Sequence, residues 1–529
     1  MKPNVLVFIT DQQRTDQIGC LADDSLNTPN IDTIAANGTL FRHAYCNTPL
    51  CMPSRATLWS GLTPRGHGAR TNGVNTRDGV LMLPQILKDN GYETYSVGKL
   101  HLKCWHLTPE KTPNVKEAEY TPQLLPECET VWERGDIKKF PEPYYGVDHV
   151  DFLGGHGSYA FGEYYNWLKN KSPKAAETLR SIKAAWPKPG GTPYYNTVPK
   201  ELYYTEWITQ KTIECIENRD KEKPFFLWCS NPDPHYPFGP PIPYDTMYTA
   251  ADIHTPLAFD DRRESMPDMF QKGYYERKGV YPPDGGPQLC DLQTLKEMKA
   301  RSNGMVSLVD ESVGRIMDHL RQNGLEHDTI VVFVSDHGDL MGDHNMYCKG
   351  PFHYEGLINV PLIFQWEGHI QKNVKTDALA SLLDFVPTML DLLEIPYPLT
   401  GIQPWPGPFF NMDGHEAENI YDKIPVLPGI SLKPILTGQA SKVQESVLIE
   451  DDDDIFGMFL RTLITEKYKL TLFINEEFGV LFDHEKDPEE RQNLWNDPAY
   501  AEVQAQLVKK LLDKIVQTEP RLRRRYGIA

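Results

Sequence analysis

Val5-Leu6-Val7-Phe8-Ile9, breaking into Thr10-Asp11-Gln12-Gln13, decides the fold class of this 529-residue chain. The first five side chains are all apolar, and three of them are β-branched. A strand with one face in water alternates apolar and polar residues. An unbroken run marks a strand covered on both faces, as in a parallel sheet flanked by helices. Open sheets of that kind bind ligands just beyond the carboxyl ends of their strands, which is where Asp11 and Gln12 stand.

The same pattern recurs outward from this stretch. Thr329 to Val334 is the clearest strand and ends in Ser335-Asp336-His337-Gly338-Asp339. Pro224 to Ser230 ends in Asn231-Pro232-Asp233-Pro234-His235. Gly91 to Gly98 leads into Lys99-Leu100-His101, and Pro361 to Trp366 is a further strand. Helical patterns fill the intervals at 30–37, 83–90, 203–218, 292–323 and 379–393. This β/α alternation across 1–395 predicts an α/β sandwich around a large, mostly parallel sheet flanked by helices. Two stretches rich in Pro, Gly and Tyr, 105–200 and 236–290, read as irregular insertions shaping the mouth of a site. After about residue 440 the character changes. Short runs at 447–450, 459–464, 468–473 and 480–482, then a closing helix at 499–518, predict a smaller α+β subdomain with an antiparallel sheet. The expected division is therefore 1–440 and 441–529. The basic cluster Arg521 to Arg525 reads as solvated tail.

Composition narrows the function. A net charge of −19 argues against nucleic acid as a partner, because such binders need basic surface to displace phosphate counterions. It leaves room for an anionic substrate held by a few buried cations. Nine cysteines, an odd and sparse set without a CxxC pair, do not read as a disulfide framework. No window reaches the roughly 18 apolar residues of a membrane span. The opening residues lack the pattern of a signal peptide. The expectation is a cytoplasmic protein as given, or a periplasmic or secreted one if a leader has been removed, with no membrane partner.

The chemistry gathers around Cys51-Met52-Pro53-Ser54-Arg55 and the following Ala56 to Gly61. Pro53 suits the first turn of a helix, which places Cys51 near a helix N-terminus that favours an anion. Alone, Cys51 reads as a buried inert thiol. In company it reads otherwise. Asp11, Gln12 and Asp336 offer oxygen ligands and His337 an imidazole, a set suited to a hard divalent ion such as Ca²⁺, Mg²⁺ or Mn²⁺ rather than Zn²⁺. Arg55, Lys99 and Lys349 supply positive charge for a tetrahedral oxyanion. A metal and cations around one nucleophile suit transfer of a sulfuryl or phosphoryl group.

The block Cys51-x-Pro53-Ser54-Arg55 with Ser60-Gly61 resembles the modification motif of the type I sulfatases in the alkaline phosphatase superfamily. The resemblance extends to Asp11-Gln12, Pro29 to Asp32, Gly98 to His101, Asp233 to His235, Ser335 to Asp339, and Leu481 to Asp483 with Asp487-Pro488. It implies that Cys51 is oxidised to Cα-formylglycine by a formylglycine-generating enzyme and that the aldehyde hydrate is the nucleophile. It assigns Asp11, Gln12, Cys51, Asp336 and His337 to the metal. Arg55 then holds the nucleophile, Lys99 and Lys349 the sulfate oxygens, His101 acts as base, and His235 serves the leaving oxygen. Asn72 is a further expected substrate contact. The implied substrate is an aryl or carbohydrate sulfate ester. Gln12, where many sulfatases carry a second Asp, also resembles phosphonate monoester and phosphodiester hydrolases that share the nucleophile. A third reading is a non-catalytic binder of sulfated glycans with Cys51 unmodified.

Overall fold

The apolar run that opens the chain is strand β1 (Asn4–Thr10), and every residue of it is buried. In the computed structural model, which describes residues 2–22, 25–105, 121, 123–185, 196, 198–256, 258–261, 265–266, 291–398, 409–410, 416–417, 427–454 and 457–519, β1 is central to a nine-stranded sheet. The other members are β2 (Thr39–Tyr45), β3 (Glu93–Gly98), β4 (His149–Gly154), β5 (Phe161–Gly162), β6 (Phe225–Ser230), β7 (Thr329–Ser335), β8 (Leu362–Gln365) and β9 (Val374–Ser381), in the order β5-β4-β3-β6-β1-β7-β8-β2-β9. The block β4-β3-β6-β1-β7 is parallel throughout, while β5 and β8 run antiparallel to their neighbours.

The unbroken hydrophobicity of β1 has the expected cause. Val5, Val7 and Ile9 enter one core with Trp59, Trp228 and Phe385, whereas Leu6 and Phe8 enter the other with Ile31, Trp207 and Val313. β7 divides in the same way, Val332 and Val334 to the first core and Val331 and Phe333 to the second. Burial of both faces removes the selection for alternate polar residues. The Cys51–Ser60 helix covers the first face, and the Leu292–Gln322 helix lies on the second.

Two short strands, β10 (Phe409–Phe410) and β11 (Glu416–Ala417), pair as a small antiparallel unit. Four more, β12 (Val447–Asp453), β13 (Met458–Ile464), β14 (Tyr468–Phe473) and β15 (Gly479–Asp483), form an antiparallel sheet in sequence order. The Ala501–Gln517 helix packs on it through Leu507 and Leu511. This sheet grips loops of the large one: Asn47 Nδ2 donates to the Leu448 carbonyl at 2.9 Å, and His353 Nδ1 lies 2.7 Å from Thr462 Oγ1.

Several expectations need correction. Part of 105–200 is regular: it supplies β4 and the Glu129–Glu133, Glu163–Lys171 and Pro173–Ala185 helices. β4 is short and flanked by glycines, so it lacks the long apolar run that identified its neighbours. β2 escaped because Arg42 and His43 interrupt its apolar pattern. The stretch 379–393 is not one helix: residues to Ser381 complete β9, and the α-helix is Phe385–Leu392. Leucines on either side of that boundary carry no periodicity to separate strand from helix. Residues 106–120 and 267–290 of the two insertions, and the Arg521 to Arg525 cluster, lie outside the described residues. Among the described residues no helix is long and apolar enough to cross a membrane.

Candidate active site

Parallel alignment of β3, β6, β1 and β7 brings their carboxyl ends to one edge. Thr10 pairs with Ser335, so Asp11 and Asp336 emerge side by side, and Asp11 N donates to the Asp233 carbonyl at 3.3 Å. At the end of β3, Gly98 has φ +97°, and a Cβ there would lie 1.9 Å from the Ser230 carbonyl oxygen. Glycine is required for that close approach, which delivers Lys99 to the same edge. Asp11, Gln12, Asp336, His337, Lys99 and His235 are all buried.

The helix that begins at Cys51 points its N-terminus at this edge, and all ten of its residues are buried. Cys51 Sγ lies 3.2 Å from His337 Nε2 and accepts from Lys349 Nζ at 2.8 Å. Burial and Asp11 oppose ionisation of this thiol, but Lys349, Lys99 and His337 outweigh them and lower its pKa. Asn72 is exposed, and its Oδ1 accepts from Met52 N at 3.1 Å; the contact caps a free N–H of the helix start.

Arg55, one turn along, is fully buried and ties four strand ends together. Its Nε donates to Asp336 Oδ2 at 2.7 Å, its Nη1 to Ser230 Oγ at 2.8 Å and the Lys99 carbonyl at 3.2 Å, and its Nη2 to Asp11 Oδ2 at 3.5 Å. A planar fork with five donors suits this task as no lysine would.

The donor set fits a hard cation. Ligand atoms of Asp11, Cys51, Asp336 and His337 all lie within 4.8 Å of one another. Among the described residues Asp11 Oδ1 and Gln12 Oε1 find no hydrogen-bond partner, and both are buried, a costly state that a cation relieves. Gln12 is held in that orientation because its Nε2 donates to Asp339 Oδ2, which leaves the oxygen for the site.

Burial, with the lysines adding to it, favours the neutral form of the nearby histidines. Lys349 Nζ lies 3.0 Å from His235 Nε2, and Lys99 Nζ contacts Asp11 Oδ2 and lies 2.8 Å from His156 Nε2. Burial, then His156 and Lys349, hold His235 well below the usual imidazole range. Burial and Lys99 do the same to His101, and they bring His156 down to about 3. His337 goes the other way: burial and Lys349 lower it, but Asp336 and Cys51 raise it further.

His101 sits beside this group with φ +60° and its ring stacked on Trp105, centroids 3.8 Å apart. Its loop is clamped by Glu127, a buried carboxylate that accepts from the backbone N–H groups of His101 at 2.5 Å, Leu102 at 3.0 Å and Lys103 at 3.1 Å. All the residues picked from the sequence thus converge, with Asn72 at the helix cap. The sequence reading missed His156 and Glu127, both in the stretch taken as irregular. The only signal for His156 was the Gly154-Gly155-His156-Gly157 turn after a short apolar run.

The sequence and the fold have counterparts in known proteins. Residues 3–395 match the sulfatase family model, and residues 423–517 match the model of the N-sulphoglucosamine sulphohydrolase C-terminal region. The chain is 27% identical over 517 residues to an arylsulfatase of Clostridium perfringens, covering 95% of this chain and 92% of that protein. It resembles the crystal structure of the phosphonate monoester hydrolase of Agrobacterium radiobacter with a TM-score of 0.76 and 24% identity, covering 98% and 96% of the two chains. It also resembles the structure of BT4656 in complex with D-glucosamine-2-N,6-O-disulfate, with a TM-score of 0.70, 20% identity, and coverage of 98% and 99%.

Proposed function

The chain belongs to the sulfatase family and hydrolyses sulfate esters, and from that premise we propose that it cleaves an aryl or carbohydrate sulfate through a nucleophile made from Cys51 beside one divalent cation. The observation that carries this reading is the meeting of Lys349 Nζ and His337 Nε2 on Cys51 Sγ at 2.8 and 3.2 Å, above a buried Arg55 and two unpaired oxygens. In this reading the thiol sulfur stands where an oxygen of the formylglycine hydrate belongs.

When formed, formylglycine supplies a geminal diol, one hydroxyl to attack sulfur and a second whose loss of a proton releases sulfate. When bound, a divalent cation, Ca²⁺ in the first instance, supplies positive charge that favours ionised oxygen at residue 51. Asp11, Gln12, Asp336 and His337 would hold it. Lys99 and Lys349 would bind the non-bridging sulfate oxygens, where charge grows in the transition state. His101, kept neutral, would accept the proton from the second hydroxyl. His235 Nδ1 donates to the Tyr236 carbonyl at 2.5 Å, so its Nε2 is the nitrogen turned to Lys349 and the one that would serve the leaving oxygen. Segment 1–440 would carry the chemistry and 441–529 would brace its loops.

Two measurements test this. Mass spectrometry of the peptide bearing residue 51, from a host that holds the modifying enzyme, is expected to show the aldehyde; thiol alone would support a non-catalytic binder of sulfated glycans. Cys51→Ala is expected to lower kcat for 4-nitrophenyl sulfate by about 10⁴-fold or more, the scale of losing a nucleophile, with Tm retained. Gln12 and the Asp336-His337 pair favour a second reading, phosphonate monoester or phosphodiester hydrolysis. A kcat/KM preference of several decades for an aryl phosphonate over the aryl sulfate would establish it instead.

A further inference from the structure

Two imidazoles at the ends of β4 and β6, His156 and His235, stack face to face with centroids 3.5 Å apart and planes 4° from parallel. They differ in how their nitrogens are used. His235 has both engaged, Nδ1 with the Tyr236 carbonyl and Nε2 with Lys349 Nζ. His156 uses only Nε2, which accepts from Lys99 Nζ at 2.8 Å and lies 3.5 Å from Asp11 Oδ2. An ammonium only donates, so His156 Nε2 is the bare nitrogen and Nδ1 carries the proton. That N–H has no hydrogen-bond partner among the described residues. The side chain is 16% exposed, where that of Lys99 is 0%.

The ring is also fixed in place. Gly155 before it has φ +79°, and a Cβ there would meet the Tyr159 carbonyl at 2.2 Å. Trp105 flanks it with centroids 5.1 Å apart. Nδ1 and Nε2 lie on different edges of an imidazole, so the free donor is directed away from Lys99 on a side chain that is partly exposed.

Resting on the sulfatase reading above, we propose that His156 is a specificity-determining residue. Its Nδ1–H donates to an oxygen on the organic half of the ester: a hydroxyl, ring oxygen or carboxylate of a sulfated sugar. A fixed donor rejects an analogue that lacks the matching acceptor, because the N–H is then left unpaired. An aryl sulfate without ring oxygens is such an analogue.

The test compares two replacements on two substrate types. In His156→Gln the longer amide reaches the Nε2 position and still accepts from Lys99, but the Nδ1 donor is gone. In His156→Asn the shorter amide keeps a donor near Nδ1 and loses the Lys99 contact. The substrates are 4-nitrophenyl sulfate and hexose, hexosamine and uronate sulfates esterified at O2, O3, O4 or O6. His156→Gln is expected to lower the ratio of kcat/KM, best sugar sulfate over aryl sulfate, by about tenfold and chiefly through KM, the scale of one lost hydrogen bond. His156→Asn is expected to lower both activities and keep the ratio. Equal losses on both substrates in His156→Gln would overturn the inference and reduce His156 to a partner of Lys99. So would a wild-type protein that cleaves the aryl ester but none of the sugar sulfates, a result that leaves the sulfatase reading standing. A properly modified protein that cleaves neither would refute that reading itself.

Discussion

Among the described residues, two clusters of lysine, histidine and carboxylate invite comparison, one at the strand ends around Cys51 and one where β14 meets the loop after Lys349. In the second, Lys469 pairs with Glu490, and His484 Nε2 lies 2.9 Å from Glu490 Oε1 and 3.9 Å from Glu355 Oε1. Burial lowers the His484 pKa, but its two carboxylates overcome burial and raise it. Burial would raise Glu490, yet Lys469 and His484 bring it down to about 2. At the strand ends His101, His156 and His235 move the opposite way, because each adds burial to a neighbouring ammonium. The same residue types thus give charged pairs in one cluster and neutral imidazoles in the other. The balance of carboxylates against lysines sets the difference. The β14 cluster pairs both oxygens of Glu490, Oε1 with Lys469 and His484 and Oε2 with the Glu355 N–H at 3.1 Å, and among the described residues leaves Glu355 Oε1 without a hydrogen bond. The strand-end cluster leaves Asp11 Oδ1 and Gln12 Oε1 open. The β14 network thus satisfies its central ion pair from within the protein, whereas the strand-end site holds open oxygens on two adjacent residues beside the nucleophile.

That contrast can be broken in order of expected effect. Asp336→Asn removes a proposed metal ligand and the partner of Arg55 Nε; kcat should fall by about 10³-fold or more, and bound metal measured by elemental analysis should fall with it. Unchanged metal content would put the cation elsewhere. Lys469→Met strikes the other cluster. It strands Glu490 and should cost about 3–5 kcal/mol of stability, read as a drop in Tm and in denaturant midpoint, with KM of the folded enzyme unaltered. The same cluster gives a pH signature. Glu490 titrates at about 2 in the folded protein against an ordinary value of 4.5, so its stabilisation is complete above pH 4.5 and is lost as pH falls toward 2. Glu490→Gln should flatten Tm against pH in that window. The smallest effect belongs to Asn72→Ala. Loss of a helix cap should lower stability by about 1 kcal/mol and kcat/KM by less than tenfold. A loss of several decades would return Asn72 to the role of substrate contact.

Much of the site was legible because buried parallel strands are written as unbroken apolar runs, and the first polar residue after each run is conspicuous. Asp11, Lys99, His235 and Asp336 all follow such runs. Lys349 was legible only by its nearness in sequence to His337. His156 follows β4, whose short apolar run sits among glycines and tyrosines, so only the glycine-flanked turn marked it. Glu127 is hidden for another reason. A carboxylate that clamps three backbone N–H groups leaves no periodic trace, since those partners carry no side-chain identity and its fourth, the Tyr144 hydroxyl, lies far along the chain.

By itself the sequence determined the layered α/β architecture, the edge of the sheet that carries polar groups, and the Cys51 to Arg55 block that resembles a sulfatase motif. These are local properties, fixed by burial of both strand faces and by the residues at each strand end. Only the tertiary structure decided the protonation of the histidines, the orientation of Gln12 by Asp339, and the stacking of His156 on His235. Each depends on which charges from distant strands come within a few ångströms in a medium without water. Coulomb interactions there are strong and short of screening, and spacing along the chain does not encode them.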